Sequence, residues 1–226
     1  MKIMKKMTLV VSMMLMIMML AAPSVYADTI AAGDWIKLYD AGIGTTNGGP
    51  FSLYKKIGDN YNYQFDTFCV ETNEYFNPGT AYYVAGVTKQ AVKGGTGGGS
   101  PDPLGEKTAY LYYHFRIGDL GSLTGGTFQY NDAGADALQK AIWKFEDETA
   151  YSTVNNYLVS LANSASATDL QTAYANVWVL NLTNGATYPT NKQDQLTYIP
   201  VPEPATLLLL GLGLVGLGLS SRRFKK

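Results

Sequence analysis

Cysteine is almost missing from this 226-residue chain: Cys69 stands alone, so no internal disulfide is open to it. Histidine is as scarce, with His114 the single example, and no group of His, Cys, Asp and Glu has metal-ligand spacing. A hydrolase dyad of Cys69 and His114 has no local sign of the third, orienting group that such a pair needs. Apolar runs of about 20 residues, the length of a comfortable membrane span, are also absent. The two apolar stretches, 7–22 and 205–219, are both shorter. The glycine-rich stretch 94–100 has no Lys-Ser or Lys-Thr after it and no strand-to-helix setting, so it reads as a flexible loop and not a phosphate cradle.

What is present is clearest at the two ends. A cationic start (Lys2, Lys5, Lys6) precedes the Met- and Leu-rich run 7–22, and Val25-Tyr26-Ala27 puts small residues where signal peptidase needs them. Residues 1–27 are therefore expected to be a cleaved signal peptide. At the other end, the prolines of Val201-Pro202-Glu203-Pro204 lead one to expect an extended segment that is not helical. An apolar stretch, 205–219, and a basic stop of Arg222, Arg223, Lys225 and Lys226 follow, and the positive-inside rule keeps that stop cytoplasmic. This layout resembles the PEP-CTERM sorting domain, also known as an ice-binding protein C-terminal domain. The resemblance implies an exosortase cargo of a Gram-negative bacterium, often produced beside exopolysaccharide. Residues 199–226 are then a sorting signal that touches the membrane before processing, and residues 28–198 are the globular domain.

Between residues 28 and 201 lie 10 Lys/Arg and 17 Asp/Glu, a net of −7 that the near-neutral whole chain conceals. An acidic surface of this kind argues against nucleic acid, whose phosphates favour a basic face. Sixteen of the 17 Tyr fall in this part, which favours strands and turns. Strands are expected over 34–39, 51–54, 61–71, 80–87 and 176–182, and helices over 106–115, 132–147, 154–163 and 169–175. In 61–71, period two places Tyr61, Tyr63, Phe65, Thr67 and Cys69 on one face. The expected class is α+β: a β-sandwich or barrel core with a helical insertion, flanked by the signal peptide and a C-terminal hydrophobic sorting helix.

Two segments stand out together: Thr67-Phe68-Cys69-Val70-Glu71 at a strand end, and Gln139-Lys140-Ala141-Ile142-Trp143, expected at a helix start. They resemble the paired signatures of the thioester domains of bacterial surface adhesins, although Leu138 stands where a Thr commonly precedes the Gln. The resemblance implies an internal thioester between Cys69 and Gln139, surrounded by Phe68, Glu71, Ile142 and Trp143. Such a bond forms when a thiol displaces ammonia from a carboxamide, a slow step unless the groups are pressed together; proximity supplies roughly 7–11 kcal/mol. Phe68, Tyr63 and Trp143 are expected to exclude water, and Glu71 or Asp66 to assist proton transfer.

Other readings of the same residues stay open. A free Cys is often a small buried hydrophobe, and Gln139 an ordinary helix-surface residue. Cys69 can also link two copies through a disulfide, and Trp35, Trp143 and the tyrosines can stack on sugars. The expected function is an adhesive surface or extracellular-matrix protein that captures an amine- or hydroxyl-bearing polymer once. It is not an enzyme and uses no metal or cofactor. Its processing partners are signal peptidase and an exosortase. The alternatives are a noncovalent structural or carbohydrate-binding matrix module and, third, an exported cysteine hydrolase.

Overall fold

The computed structural model describes residues 30–46, 48–95, 97, 99–187, 189–201 and 211. The expected signal peptide 1–27, Pro202, Glu203 and Pro204 of the sorting motif, and the basic stop all lie outside them. Among the described residues, no helix is long and apolar enough to cross a membrane.

Six antiparallel strands form one sheet in the order β3-β2-β1-β4-β7-β8. They are β1 (Trp35–Asp40), β2 (Phe51–Ile57), β3 (Asn60–Thr67), β4 (Ala81–Thr88), β7 (Val177–Thr183) and β8 (Asn191–Tyr198). A small ladder of β5 (Gln90–Ala91) and β6 (Asp102–Pro103) precedes the helices. The helices α1 (Glu106–Ile117), α2 (Leu120–Leu123), α3 (Asp132–Phe145), α4 (Tyr157–Ser164) and α5 (Ala167–Asn176) all fall between β6 and β7. The class is α+β with a helical insertion, as the residue pattern implies.

The two outer strands of the sheet meet. Just beyond β3, Leu196 N–H donates to the Phe68 carbonyl (3.1 Å) and Val70 N–H to the Asp194 carbonyl (3.2 Å), leaving Cys69 opposite Gln195. This short seam joins the two outer ends of the sheet and closes it on itself as a barrel at that point. Tyr112 of α1 braces it, its hydroxyl donating to the Leu196 carbonyl at 3.1 Å.

Alternation then divides the core in two. Ile36, Leu38, Leu53, Phe65, Val84, Leu180 and Leu182 fill the barrel with Cys69 and Trp143. Phe68, Val70, Val177, Val179 and Leu196 face outward and pack under Tyr112, Leu138, Ile142 and Leu158 of the helices. Phe68 lies edge-on to Phe115, ring centroids 5.3 Å apart.

Tyr63 corrects the expected face of β3. Leu53 pairs with Phe65 but Tyr54 with Tyr63, so Gln64 is an extra residue, a β-bulge. One extra residue inverts the side-chain phase. Phe65 therefore points inward, while Tyr63 is 53% exposed and packs on Tyr54 outside. Phe68→Ala is expected to cost about 3–5 kcal/mol and Tyr63→Ala about 1 kcal/mol or less; urea unfolding of the two variants measures the contrast.

Candidate functional site

Cys69 enters the barrel because the seam holds its backbone and the strand period turns its side chain inward; it is fully buried. Gln139 reaches the same place from α3. That helix is capped by Asn131, whose side chain accepts the Gly134 N–H at 3.1 Å. Its apolar spacing seats Leu138, Ala141 and Ile142 on the helical core. Gln139 and Trp143, one turn apart, are carried against the barrel and are both buried. Gln139 sits in the middle of the helix and not at its start, which corrects that expectation.

The two residues meet through paired hydrogen bonds. The Cys69 N–H donates to Gln139 Oε1 at 3.2 Å, and Gln139 Nε2 donates to the Cys69 carbonyl at 3.0 Å. The same N–H is shared with the Gly48 carbonyl at 3.0 Å. The carboxamide is thus locked face to face with the backbone of the cysteine, from a position 70 residues away.

A loop lies flush over the pair. A Cβ added to Gly48 would sit 2.2 Å from the Trp143 ring and 3.0 Å from Gln139 Cγ, so only glycine fits there. Gly49, with φ +130°, also approaches Gln139; a Cβ there would lie 3.2 Å from Oε1. The loop is clamped to α3: Gly44 N–H donates to Asp132 (3.0 Å), and Thr45 donates to Asp136 from its N–H (2.6 Å) and its hydroxyl (2.5 Å). Burial alone would raise the Asp136 pKa, but these Thr45 bonds outweigh it and hold the carboxyl below its ordinary range. Outside the loop is a surface cavity of about 260 Å³ lined by Asp40, Gly44, Gly49, Pro50, Tyr75 and Gln193, among others.

On the sulfur side stands Gln195, which no sequence signal marks. Its Nε2 donates to Cys69 Sγ at 3.3 Å, and its Oε1 is buried without a partner. Burial pushes the Cys69 thiol well above its ordinary pKa; the Gln195 bond opposes this and the Glu71 charge adds to it.

The expected surroundings divide. Trp143 lies in the barrel beside Cys69, ring centroid 4.5 Å from that of Tyr151. Phe68 and Ile142 instead pack in the helical layer. Glu71 is turned to β8, where its carboxylate accepts the Asp194 N–H at 3.2 Å. Asp66 is held by Ser52 (2.7 Å) and Tyr130 (2.6 Å). His114 bonds Asp119 (2.8 Å) and packs on Tyr110 and Tyr113. Among the described residues, no group of three His, Cys, Asp or Glu is placed to hold a metal.

Residues 200–223 match the PEP-CTERM protein-sorting motif. The chain is thus an exported protein carrying the signal read by an exosortase, sorted to the Gram-negative cell envelope or surface. No curated protein matches the chain. Among solved structures it is similar to the N-terminal domain of the Streptococcus pyogenes pilus tip adhesin Cpa. Identity is 13%, the match covers 79% of this chain and 100% of that one, and the TM-score is 0.37.

Asp194 is wholly buried, accepting from Val92 N–H, Leu182 N–H and Asn181 Nδ2 at 2.8–3.0 Å. Burial nonetheless raises its pKa to about 7, and raises that of Glu71 well above the carboxylate range, the neighbouring Asp194 charge adding to this. A raised folded-state pKa means the native protein binds the extra proton. That contribution is fully present below about pH 4, the unfolded value. It is lost as pH rises through about 7. Thermal melting is expected to show this decline between pH 5 and about 8, flattened in Asp194→Asn; an unchanged slope would contradict it.

Proposed function

We propose that this exported protein is adhesive, and that Cys69 and Gln139 form an internal thioester that captures a partner covalently. The paired hydrogen bonds between the Gln139 carboxamide and the Cys69 backbone carry the reading. They fix the amide carbon beside the residue that bears the sulfur, in a buried site, which is the arrangement that converts proximity into rate.

The chemistry follows from the atoms in place. Cys69 Sγ attacks Gln139 Cδ, and negative charge develops on Oε1, where the Cys69 N–H already donates. The thiol proton passes to Nε2, the C–N bond breaks and ammonia leaves. Trp143 and the Gly48–Gly49 turn then shield the acyl group from water. When a partner's amine or hydroxyl attacks the same carbon, the C–S bond breaks, Cys69 recovers a proton, and residue 139 is left amide- or ester-linked. This happens once and does not turn over, so the protein is not an enzyme. Entry runs from the Asp40–Tyr75 cavity and requires the loop clamped by Asp136 to lift. The same reading places signal peptidase and an exosortase at the two ends and the domain among surface or matrix polymers, exopolysaccharide included.

Intact mass of the exported protein decides the matter. The wild type is expected to lack the mass of one ammonia and to add methylamine. Cys69→Ala and Gln139→Ala are expected to show neither. A full, unmodified wild-type mass would exclude the thioester.

One observation favours a second, noncovalent reading. Tyr39, Tyr54 and Tyr63 form a ladder across the outer face of β1, β2 and β3, with ring centroids 5.2 and 5.6 Å apart. Lys37 lies over Tyr61, 4.6 Å from its ring centroid, on the same face. Amphipathic rings with accessible faces suit the C–H faces of sugars. Trp143, buried under the loop, takes no part. Affinity electrophoresis in gels containing dextran or hydroxyethyl cellulose is expected to retard the wild type and not Tyr54→Ala with Tyr63→Ala. Equal mobility with and without polysaccharide would dismiss the platform.

A further inference from the structure

We infer that Gln195 is the positioning residue for the Cys69 sulfur: it holds Sγ toward Gln139 and stabilises the thiolate both as it attacks and as it departs. The inference rests on the thioester reading and adds to it a residue on β8, outside the segments 67–71 and 139–143.

Three observations carry it. Gln195 lies directly opposite Cys69 across the seam, the closest placement two strands allow. Its Nε2 is 3.3 Å from Sγ, while a weaker 3.4 Å contact to the Gln193 carbonyl steadies the amide. Its Oε1 is buried with no partner, so part of the side chain's hydrogen-bonding capacity is left unused beside the sulfur. An unpaired buried carbonyl is costly in a stable fold. A half-turn of the amide would put that oxygen on the sulfur as acceptor for a thiol S–H. One side chain can therefore follow the sulfur through its proton cycle, accepting from the thiol and donating to the thiolate.

The need for such a group comes from the burial of Cys69. No Lys, Arg or His is among the groups found to act on the thiol. Of the surrounding elements, α3 presents Gln139 and Trp143 and the covering loop presents Gly48 and Gly49, none of which ionises at neutral pH. On its own segment Glu71 acts against the thiolate. On β8, Asp194 is turned to Val92, Asn181 and Leu182. The neutral Gln195 amide, whose Nε2 donates to Sγ at 3.3 Å, favours the charged sulfur.

In the full-length exported protein, Gln195→Leu is expected to slow methylamine opening about tenfold or more, the scale of a hydrogen bond to a charged group, and to leave part of the chain at unmodified mass. Gln195→Glu keeps the shape; protonated, its O–H can still donate to sulfur, and ionised it repels the thiolate. Its opening rate is expected to fall with an additional ionisation that the wild-type pH profile lacks, which a purely structural role would not produce. This profile decides the matter if the Leu variant fails to fold. Wild-type opening rates and an unaltered pH profile in both variants would overturn the inference while leaving the thioester intact. A third measurement separates the two ideas. In Gln139→Ala no thioester can form, and adding Gln195→Leu is expected to move the pH midpoint of Cys69 alkylation by iodoacetamide upward. An unmoved midpoint would overturn the role of Gln195. An unmodified wild-type mass would reject the thioester alone, because the alkylation midpoint still reads the Gln195–sulfur interaction.

Discussion

Everything distinctive in this fold depends on three residues, Phe68 to Val70, pairing with β8. That pairing closes the sheet, and it does so at the one cysteine. Because neighbouring residues in extended chain point to opposite faces, the same three residues serve two cores. Phe68 and Val70 bind the helical layer, and Cys69 alone goes into the barrel. A shift of register by one residue would exchange these sides and remove the sulfur from Gln139. The helical insertion has the complementary task. It packs on the outside of the seam through Leu138 and Ile142, and by helical period this turns Gln139 and Trp143 to where the sulfur is.

Closing the seam carries a cost that shapes the rest of the site. β8 is a buried strand of polar residues, with Gln193, Asp194, Gln195 and Thr197 all inaccessible or nearly so. Buried polar groups are tolerable only when paired. Gln193 Nε2 donates to the Glu71 carbonyl at 2.7 Å, and Asp194 collects three donors. Gln195 is the member left half-satisfied, and it faces the cysteine. An incomplete network next to the one thiol is the kind of local inconsistency that functional sites retain. The clamp of Thr45 on Asp136 has a related logic. The arm of the loop at Gly44 and Thr45 is held by exposed polar bonds, whereas Gly48 and Gly49 are buried against Trp143 and Gln139, so opening the site means breaking both.

The elements most legible in advance were those with strong periodicity. The helix 132–147 could be read from Ala135, Leu138, Ile142 and Phe145, and it is present as Asp132–Phe145. Helices near 106–115, 154–163 and 169–175 and strands near 34–39, 80–87 and 176–182 are likewise present with small shifts at their ends. β8 was not legible, since Asn191-Lys192-Gln193-Asp194-Gln195 has neither apolar alternation nor β-branched residues and reads as loop. With β8 unseen, Gln195 and Asp194 could not be connected to Cys69. The bulge at Gln64 was hidden for a different reason: an extra residue is defined only against a partner strand.

By itself the sequence determined the sorting motif and the α+β class, and it marked the two segments that carry Cys69 and Gln139. Each is written in local chemistry: charge, apolar length, proline restriction, periodicity, and a solitary cysteine beside a recognisable pair of segments. Only the tertiary structure decided that Cys69 and Gln139 touch, that a glycine turn seals them, and that a second glutamine holds the sulfur. Those contacts join positions 70 and 126 residues apart. They exist because the sheet closes between its two outer strands, β3 and β8, and the helical insertion packs on that closure, a condition of the whole fold and not of any segment of it.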